Sequence, residues 1–256
     1  MNNKKLFTAD IKFAINYFIA SVAPTNQKIA VIDSQHLNST KILTEFGHTK
    51  IDVINYMPLN IAAVNPDATM RTGVSTDVLR KLTRRKAGKY GAIYLDYCGT
   101  PRKNLRIGFS PEDDMKMSHS LLADNGILIA TFSQRGVKNC DAVASAMIGR
   151  AGFQVLDVYK YFHTSAMVAI IAYKGSQTFS QRINFMWTCI TKRFNTENMS
   201  VTSYVGRRIS YQWNYGEWYT AEVLEKKGKY HKVCWEQDGT EDLVRLRPGW
   251  FKVFEE

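Results

Sequence analysis

The stretch GAIYLDYCGTPRKN, residues 91–104, breaks an apolar run with an acid, a phenol and a thiol in succession. Ala92 to Leu95 have the composition of a buried strand, and the chain turns basic at Arg102 and Lys103. A carboxylate at a strand tip can hold or deprotonate an exocyclic amine or a hydroxyl. An adjacent tyrosine can stack on a base or hydrogen-bond to it. Asp96 and Tyr97 are therefore the candidate catalytic residues, with turn capping as the structural alternative for Asp96. Cys98 offers a thiolate for covalent addition to a ring, although a lone cysteine at a strand end more often serves as a small buried hydrophobe.

Charge supplies the second chemical signal. The 256 residues carry a net charge of +11, and its location matters more than its size. Residues 201–256 are neutral, with nine basic and nine acidic residues, while residues 1–200 hold 25 basic against 14 acidic. Six of these cations crowd into RKLTRRKAGK, residues 80–89, including Arg80, Arg84, Arg85 and Lys86. Arg102, Lys103 and Arg106 follow. If both clusters border one site they form a surface for a phosphate-bearing partner, and nucleic acid is the expected one. Taken singly, either is a solvated helix face. The four cysteines at 98, 140, 189 and 234 show no metal-ligand spacing, so they read as reduced thiols and no metal is expected.

Positioning these residues requires a scaffold, and residues 28–174 alternate between strand-like and helix-like segments. KIAVID, KIDVIN, GAIYLD and ILIATFS are strand candidates. NSTKILTEFG, DVLRKLTRRKAG, PEDDMKMSHSLLADNG and CDAVASAMIGRAG have helical spacing. FQVLDVYKYF and AMVAIIAYKG form a closing antiparallel pair. Strands apolar on both faces imply a sheet covered by helices on each side, an α/β fold. Ile11, Ile15, Phe18, Ile19 and Val22 recur at helical spacing, so residues 1–24 contain a helix packing on this domain rather than a signal peptide. No run approaches the length of a membrane span, and no membrane partner is expected. Residues 175–200 read as a linking helix. Residues 201–256 show short strands split by NYG, KKGK and QDGTE, the pattern of a small all-β barrel.

The order of elements in residues 28–174, with ILIATFS following LLADNG, resembles a class I S-adenosylmethionine-dependent methyltransferase. That resemblance covers a little over half the chain. It implies a Rossmann-like doubly wound sheet, mostly parallel with an antiparallel closing strand, and S-adenosylmethionine beyond the carboxyl ends of the strands. On the matching positions, Asp33 and Ser34 fall in the cofactor loop, Asn55 at the ribose hydroxyls and Asp77 near the adenine amino group. Asp96 falls at the substrate or catalytic motif, beside the cofactor. The loop DSQHLNST departs from the family by having no glycine between Asp33 and Gly47, where glycines let backbone approach the cofactor. Cytosine-C5 methyltransferases would place a second cysteine where Phe132 and Ser133 stand, or a proline where Tyr97 stands.

Residues 201–256 resemble a Tudor-type barrel of the chromatin-reader superfamily. The resemblance rests on Val205-Gly206, the Trp218-Tyr219-x-Ala221 segment and the Trp235…Asp238-Gly239 turn leading into EDLVRL. It implies an aromatic cage for methylated Lys or Arg built from Trp213, Tyr219 and Trp235, with Trp218 and Trp250 as core members. A methylated Lys or Arg peptide is then the expected partner of the barrel.

Together these readings imply a methyltransferase acting on nucleic acid, tethered by its barrel, in an intracellular, nuclear or viral-factory setting. A catalytically inactive domain that only binds nucleic acid or chromatin is the first alternative. A protein lysine or arginine methyltransferase is the second, disfavoured for basic histone tails by like-charge repulsion.

Overall fold

The runs KIAVI, IDVIN, YGAIYLD and AMVAIIAYK bury nearly every residue because both faces of their sheet are covered. The computed structural model describes residues 8–162, 166–199, 204–213, 217–227, 230–246 and 251–253. The chain divides into two compact units, Met1–Thr188 and Cys189–Glu256.

In the first unit α1 (Thr8–Val22) precedes β1 (Lys28–Ile32), α2 (Asn38–Glu45), β2 (Ile51–Asn55), β3 (Thr69–Thr72) and α3 (Ser75–Arg84). β4 (Tyr90–Asp96), α4 (Pro111–Leu121), β5 (Leu122–Ser133), α5 (Cys140–Arg150), β6 (Gln154–Phe162) and β7 (Ala166–Lys174) follow, and α6 (Gln177–Met199) begins in this unit and ends in the second. The seven strands lie in the order β3-β2-β1-β4-β5-β7-β6. The first five run parallel, and β7 pairs antiparallel with both β5 and β6, so the expected sheet is present. The chain order reverses between β1 and β4, the place where open α/β sheets gather ligands.

The two-residue period of the strands assigns side chains to opposite faces. Ile93, Leu95 and Tyr97 point into a core shared with Val78, Leu79 and Leu82 of α3, Met115 of α4 and Met147 of α5. The other face carries α1 and α2. There Ile11, Ile15, Phe18 and Ile19 are buried, each contributing on the order of 1.5–3 kcal/mol by leaving water. The first part of α6 also packs on this unit. Trp187 meets Phe18 and Tyr159 edge-on at 5.1 and 5.3 Å and donates its indole N–H to Asp157 at 3.1 Å.

In the first unit two elements depart most from the sequence expectation. β3 is absent from it because a four-residue, half-exposed edge strand has no hydrophobic period to reveal it. The helix expected over 111–126 stops at Leu121, and β5 begins at Leu122. Its first residues bulge, since the pairing partners jump from Tyr90–Leu122 to Ala92–Ile127. Asn125 takes the left-handed conformation there.

The second unit holds β8 (Arg208–Trp213), β9 (Glu217–Lys227), β10 (Tyr230–Trp235), β11 (Glu241–Val244) and β12 (Phe251–Val253). They form an antiparallel sheet ordered β11-β10-β9-β8-β12. Ile209, Tyr211, Ala221, Val223, Val233, Trp235, Val244 and Leu246 supply its buried core. Among the described residues no pairing joins β11 to β12, so closure into a barrel is not seen. Trp218, expected in the core, is 40% exposed because the same alternation that buries Ala221 turns it outward. Trp250 lies outside the described residues.

Candidate functional site

Asp33, Tyr94, Asp96 and Thr131 share the α1 face at the carboxyl ends of β1, β4 and β5. Asp96 pairs directly with Thr131 across the sheet, and Val31 pairs with Tyr94. The Thr131 hydroxyl donates to Asp96 Oδ1 at 2.5 Å, while Lys12 of α1 donates from Nζ to Oδ2 at 2.6 Å. Both carboxylate oxygens are thus engaged, one by the sheet and one by a helix 84 residues away in sequence. The Tyr94 hydroxyl is buried with no hydrogen-bond partner among the described residues. Burial first, then the nearby charge of Asp96, holds its pKa well above the ordinary phenol value. Tyr161 of β6 is raised for the same two reasons.

Asp33 organises the first loop. Its Oδ1 accepts the Ser34 N–H at 2.9 Å, and its Oδ2 accepts the Thr40 N–H and hydroxyl at 2.8 and 2.9 Å. The Thr40 bonds cap α2, whose own N-cap residue, Leu37, provides no side-chain bond. Burial raises the Asp33 pKa, the Thr40 and Ser34 bonds oppose that rise, and the charge of Asp96 adds to it. Leu37 adopts φ 53° where a glycine would be at ease, at a cost of about 1–2 kcal/mol. Ser34, Gln35 and His36 are exposed.

The other expected cofactor residues are placed nearby but occupied. Asn55 donates its amide to the Asp33 carbonyl at 2.7 Å and accepts the Met57 N–H at 2.9 Å, tying the ends of β1 and β2 together. Tyr56 and Met57 follow it and are 73% and 53% exposed. Asp77, in the first turn of α3, has a half-exposed side chain and pairs with Arg80 at 2.6 Å.

Tyr97 is not at the surface, as a base-stacking role requires. One residue beyond Asp96, it points to the opposite face of the sheet. Its hydroxyl donates to Asp114 at 2.6 Å, and its ring packs on Phe109 and Phe132 at 5.1 and 5.2 Å. Burial first, then the charge of Asp114, raises its pKa well above the phenol value. Cys98 is exposed rather than a core filler, because the strand has ended.

The two basic clusters lie at opposite ends of the sheet. Arg84, Arg85 and Lys86 end α3 and lead into the start of β4, where Lys28 of β1 donates to the Ala87 carbonyl at 3.1 Å. Arg102, Lys103 and Arg106 follow the end of β4. Seven residues of strand separate them, roughly 20 Å at the usual rise. The two clusters therefore do not border one site on the sheet, the condition on which a single phosphate-tracking surface rested.

The carboxyl-end cluster is nevertheless larger than expected. Arg135 and Lys138, in the loop after β5, are exposed beside it, and the Ser133 N–H joins the two loops through the Gly99 carbonyl at 2.8 Å. Residues 97–109 and 133–139 contain no acid. Backbone bonds between Asn104 and Phe109 brace the first loop, which also exposes Leu105 and Ile107. Sequence reasoning missed Lys12, Tyr94, Thr131, Arg135 and Lys138. Tyr94 alone carried a signal, since it stands two residues before Asp96 on one face of a strand.

In the second unit Tyr219 and Trp235 come together with ring centroids 6.2 Å apart. Trp235 is mostly buried and donates its indole N–H to Asp242 at 2.9 Å. The Trp213 side chain and Tyr215 lie outside the described residues, and Tyr230 is exposed.

No helix of the described residues is long and apolar enough to cross a membrane. No family model matches the chain, and no curated protein matches it in sequence. Solved structures do match. The methyltransferase SMU.776 complexed with SAH superposes with TM-score 0.51 at 12% identity, over 66% of this chain and 50% of that one. A SAM-dependent methyltransferase from Agrobacterium tumefaciens gives 0.51 at 8%, over 66% and 63%. The 1,6-didemethyltoxoflavin-N1-methyltransferase of Burkholderia thailandensis gives 0.50 at 10%, over 66% and 79%. The chain thus spans about half the length of the first of these. At such identities the likeness is one of fold: the α/β unit has the Rossmann-like fold of SAM-dependent methyltransferases.

Proposed function

We propose that the chain is an S-adenosylmethionine-dependent methyltransferase whose acceptor is an exocyclic amine of a nucleic acid. The observation that carries this is the Asp96 carboxylate, anchored by Thr131 at the switch point of a methyltransferase-type sheet, beside Asp33 and the unpartnered Tyr94 hydroxyl. The donor set fits the cofactor. Asp33 and Asp96 place two acids together in a chain of net charge +11, suited to a ligand bearing a sulfonium and an ammonium. Tyr56 and Met57, exposed beyond Asn55, offer apolar surface to the adenine. Asp33, Ser34, Asn55 and Asp77 would hold the rest of it.

When bound, the cofactor supplies an electrophilic methyl group. The protein's work is then alignment and desolvation. Asp96 Oδ2 accepts an N–H of the acceptor and orients its lone pair, while Thr131 keeps the carboxylate from rotating. Arg102, Lys103, Arg106, Arg135 and Lys138 hold phosphates around that point. Calorimetric titration with S-adenosylmethionine tests the proposal, together with transfer of labelled methyl to DNA and RNA. Absence of binding at millimolar cofactor excludes an enzyme of this class.

A second function has its own support. Asn55 and Asp77 are engaged by internal partners, Asp33 caps α2, and the first loop has no glycine. A domain that keeps the fold and binds nucleic acid without cofactor would look the same. For the second unit we propose a Tudor-like module in which Tyr219, Trp235 and Trp213 receive a methylated Lys or Arg, with Asp242 supplying negative charge. Chemical-shift titration with methylated peptide and with oligonucleotide separates a reader from a nucleic-acid grip.

A further inference from the structure

Lys12 occupies the oxygen of Asp96 that the proposed chemistry needs. Its ammonium lies 2.6 Å from Oδ2, and Thr131 already takes Oδ1. No oxygen of Asp96 is left free of these two donors. The helix bearing Lys12 is held by an apolar stripe, Ile11, Ile15, Phe18 and Ile19, that faces the same side of the sheet. One turn along from Lys12, Asn16 is buried, and its side-chain carbonyl has no partner among the described residues. Lys12 and Asp96 themselves are partly exposed, with side-chain accessibilities of 33% and 23%, so their ion pair can exchange partners with solvent or ligand.

We infer that Lys12 is a stand-in for the acceptor amine and a specificity-determining gate: a nucleic acid opens the site by drawing Lys12 onto a phosphate while its exocyclic amine takes over Asp96 Oδ2. The charge distribution gives the direction of exchange. Five exposed cations, Arg102, Lys103, Arg106, Arg135 and Lys138, stand on two joined loops at the same end of the sheet, and those loops contain no acid. A polyanion gathered there lowers the potential around Lys12 and competes with Asp96 for its ammonium. A neutral small amine offers Asp96 a donor but gives Lys12 no anion, so it opens the gate poorly. The gate therefore selects amines carried on a phosphate chain. This inference rests on the proposed acceptor chemistry, but its primary test does not need the cofactor.

The test is amine-reactive labelling of Lys12 in the full chain, read by mass spectrometry. It is run alone, with a single-stranded DNA or RNA oligonucleotide, and with a matched oligonucleotide lacking exocyclic amines, while anisotropy reports binding. Asp96→Asn, which removes the charge holding Lys12, marks the fully released rate. Because a phosphate shields the ammonium as Asp96 does, labelling of Lys12 in the Asp96→Asn chain is expected to fall about fivefold or more on adding the amine-bearing oligonucleotide, and to fall less with the amine-free one. The DNA and RNA arms identify which chain opens it. Unchanged labelling despite measured binding overturns the gate, and so does a failure of either oligonucleotide to bind. If S-adenosylmethionine binds as well, Lys12→Met should raise kcat/KM for the oligonucleotide without changing cofactor affinity. A fall in kcat on that substitution would instead make Lys12 a support for Asp96 and overturn the gate. Failure of cofactor binding alone removes the methyltransferase proposal and leaves the labelling result standing.

Discussion

Asp96 and Tyr97 are neighbours in sequence and lie on opposite sides of the sheet. The pleat sends Asp96 toward α1, Thr131 and Lys12, and Tyr97 toward Asp114 and Phe132. If Asp96 orients the acceptor, its effect appears mainly in the transition state. Asp96→Asn should therefore lower kcat and kcat/KM together by about 100-fold or more, while cofactor affinity falls by less than about tenfold, the loss of one of the two acids that face the cationic ligand. Steady-state kinetics beside calorimetry checks the split. Cys98→Ala should leave both nearly unchanged, because the exposed thiol lies beyond the end of the strand. Loss of activity on that change, with Asp96→Asn active, would move the chemistry to the thiol.

At the scale of elements, β10 carries a conflict of its own. His231 is buried, and neither ring nitrogen has a hydrogen-bond partner among the described residues. Burial first, then the positive charge of Lys226, holds its pKa below the ordinary 6.5. The sign follows from which state binds more protons. Above pH 6.5 both folded and unfolded forms carry a neutral ring and the group is silent. As pH falls below that value, the unfolded chain takes up a proton that the folded sheet resists, and stability drops until the folded pKa is passed. Thermal unfolding of the full chain at about pH 7.5 and about pH 5.5 should show the second unit melting lower in acid. His231→Phe should remove most of that difference. An equal acid shift in the variant would assign it to other groups.

For the molecule as a whole, excess positive charge is distributed by topology rather than by sequence distance. Arg84 and Arg85 end α3 at one end of the sheet, while Arg102, Lys103, Arg106, Arg135 and Lys138 rim the other. Oligonucleotide affinity should fall with salt at a slope set by the number of phosphates contacted. Replacing Arg102, Lys103 and Arg135 with Ala should reduce the log–log slope by about two to three units. Replacing Arg84 and Arg85 should leave it unchanged. Equal effects from both clusters would mean that nucleic acid wraps the unit from end to end.

Residues 28–174 disclosed their architecture because burial on both faces of the sheet and helices with apolar faces leave local, periodic marks in composition. The apolar strand runs, the helix starts and the antiparallel closing pair are all of this kind, and so is the carboxylate at the tip of β4. β3 left no such mark because four half-exposed residues have no period. What the fold alone decided is which residues meet. Lys12 reaches Asp96 across 84 residues, Arg135 joins Arg102 through two adjacent strands, and Arg84 is separated from Arg102 by the length of β4. Composition and spacing record what each segment buries. The partners of a polar side chain are set by strand order and register, which are properties of the assembled sheet and of no single stretch of the chain.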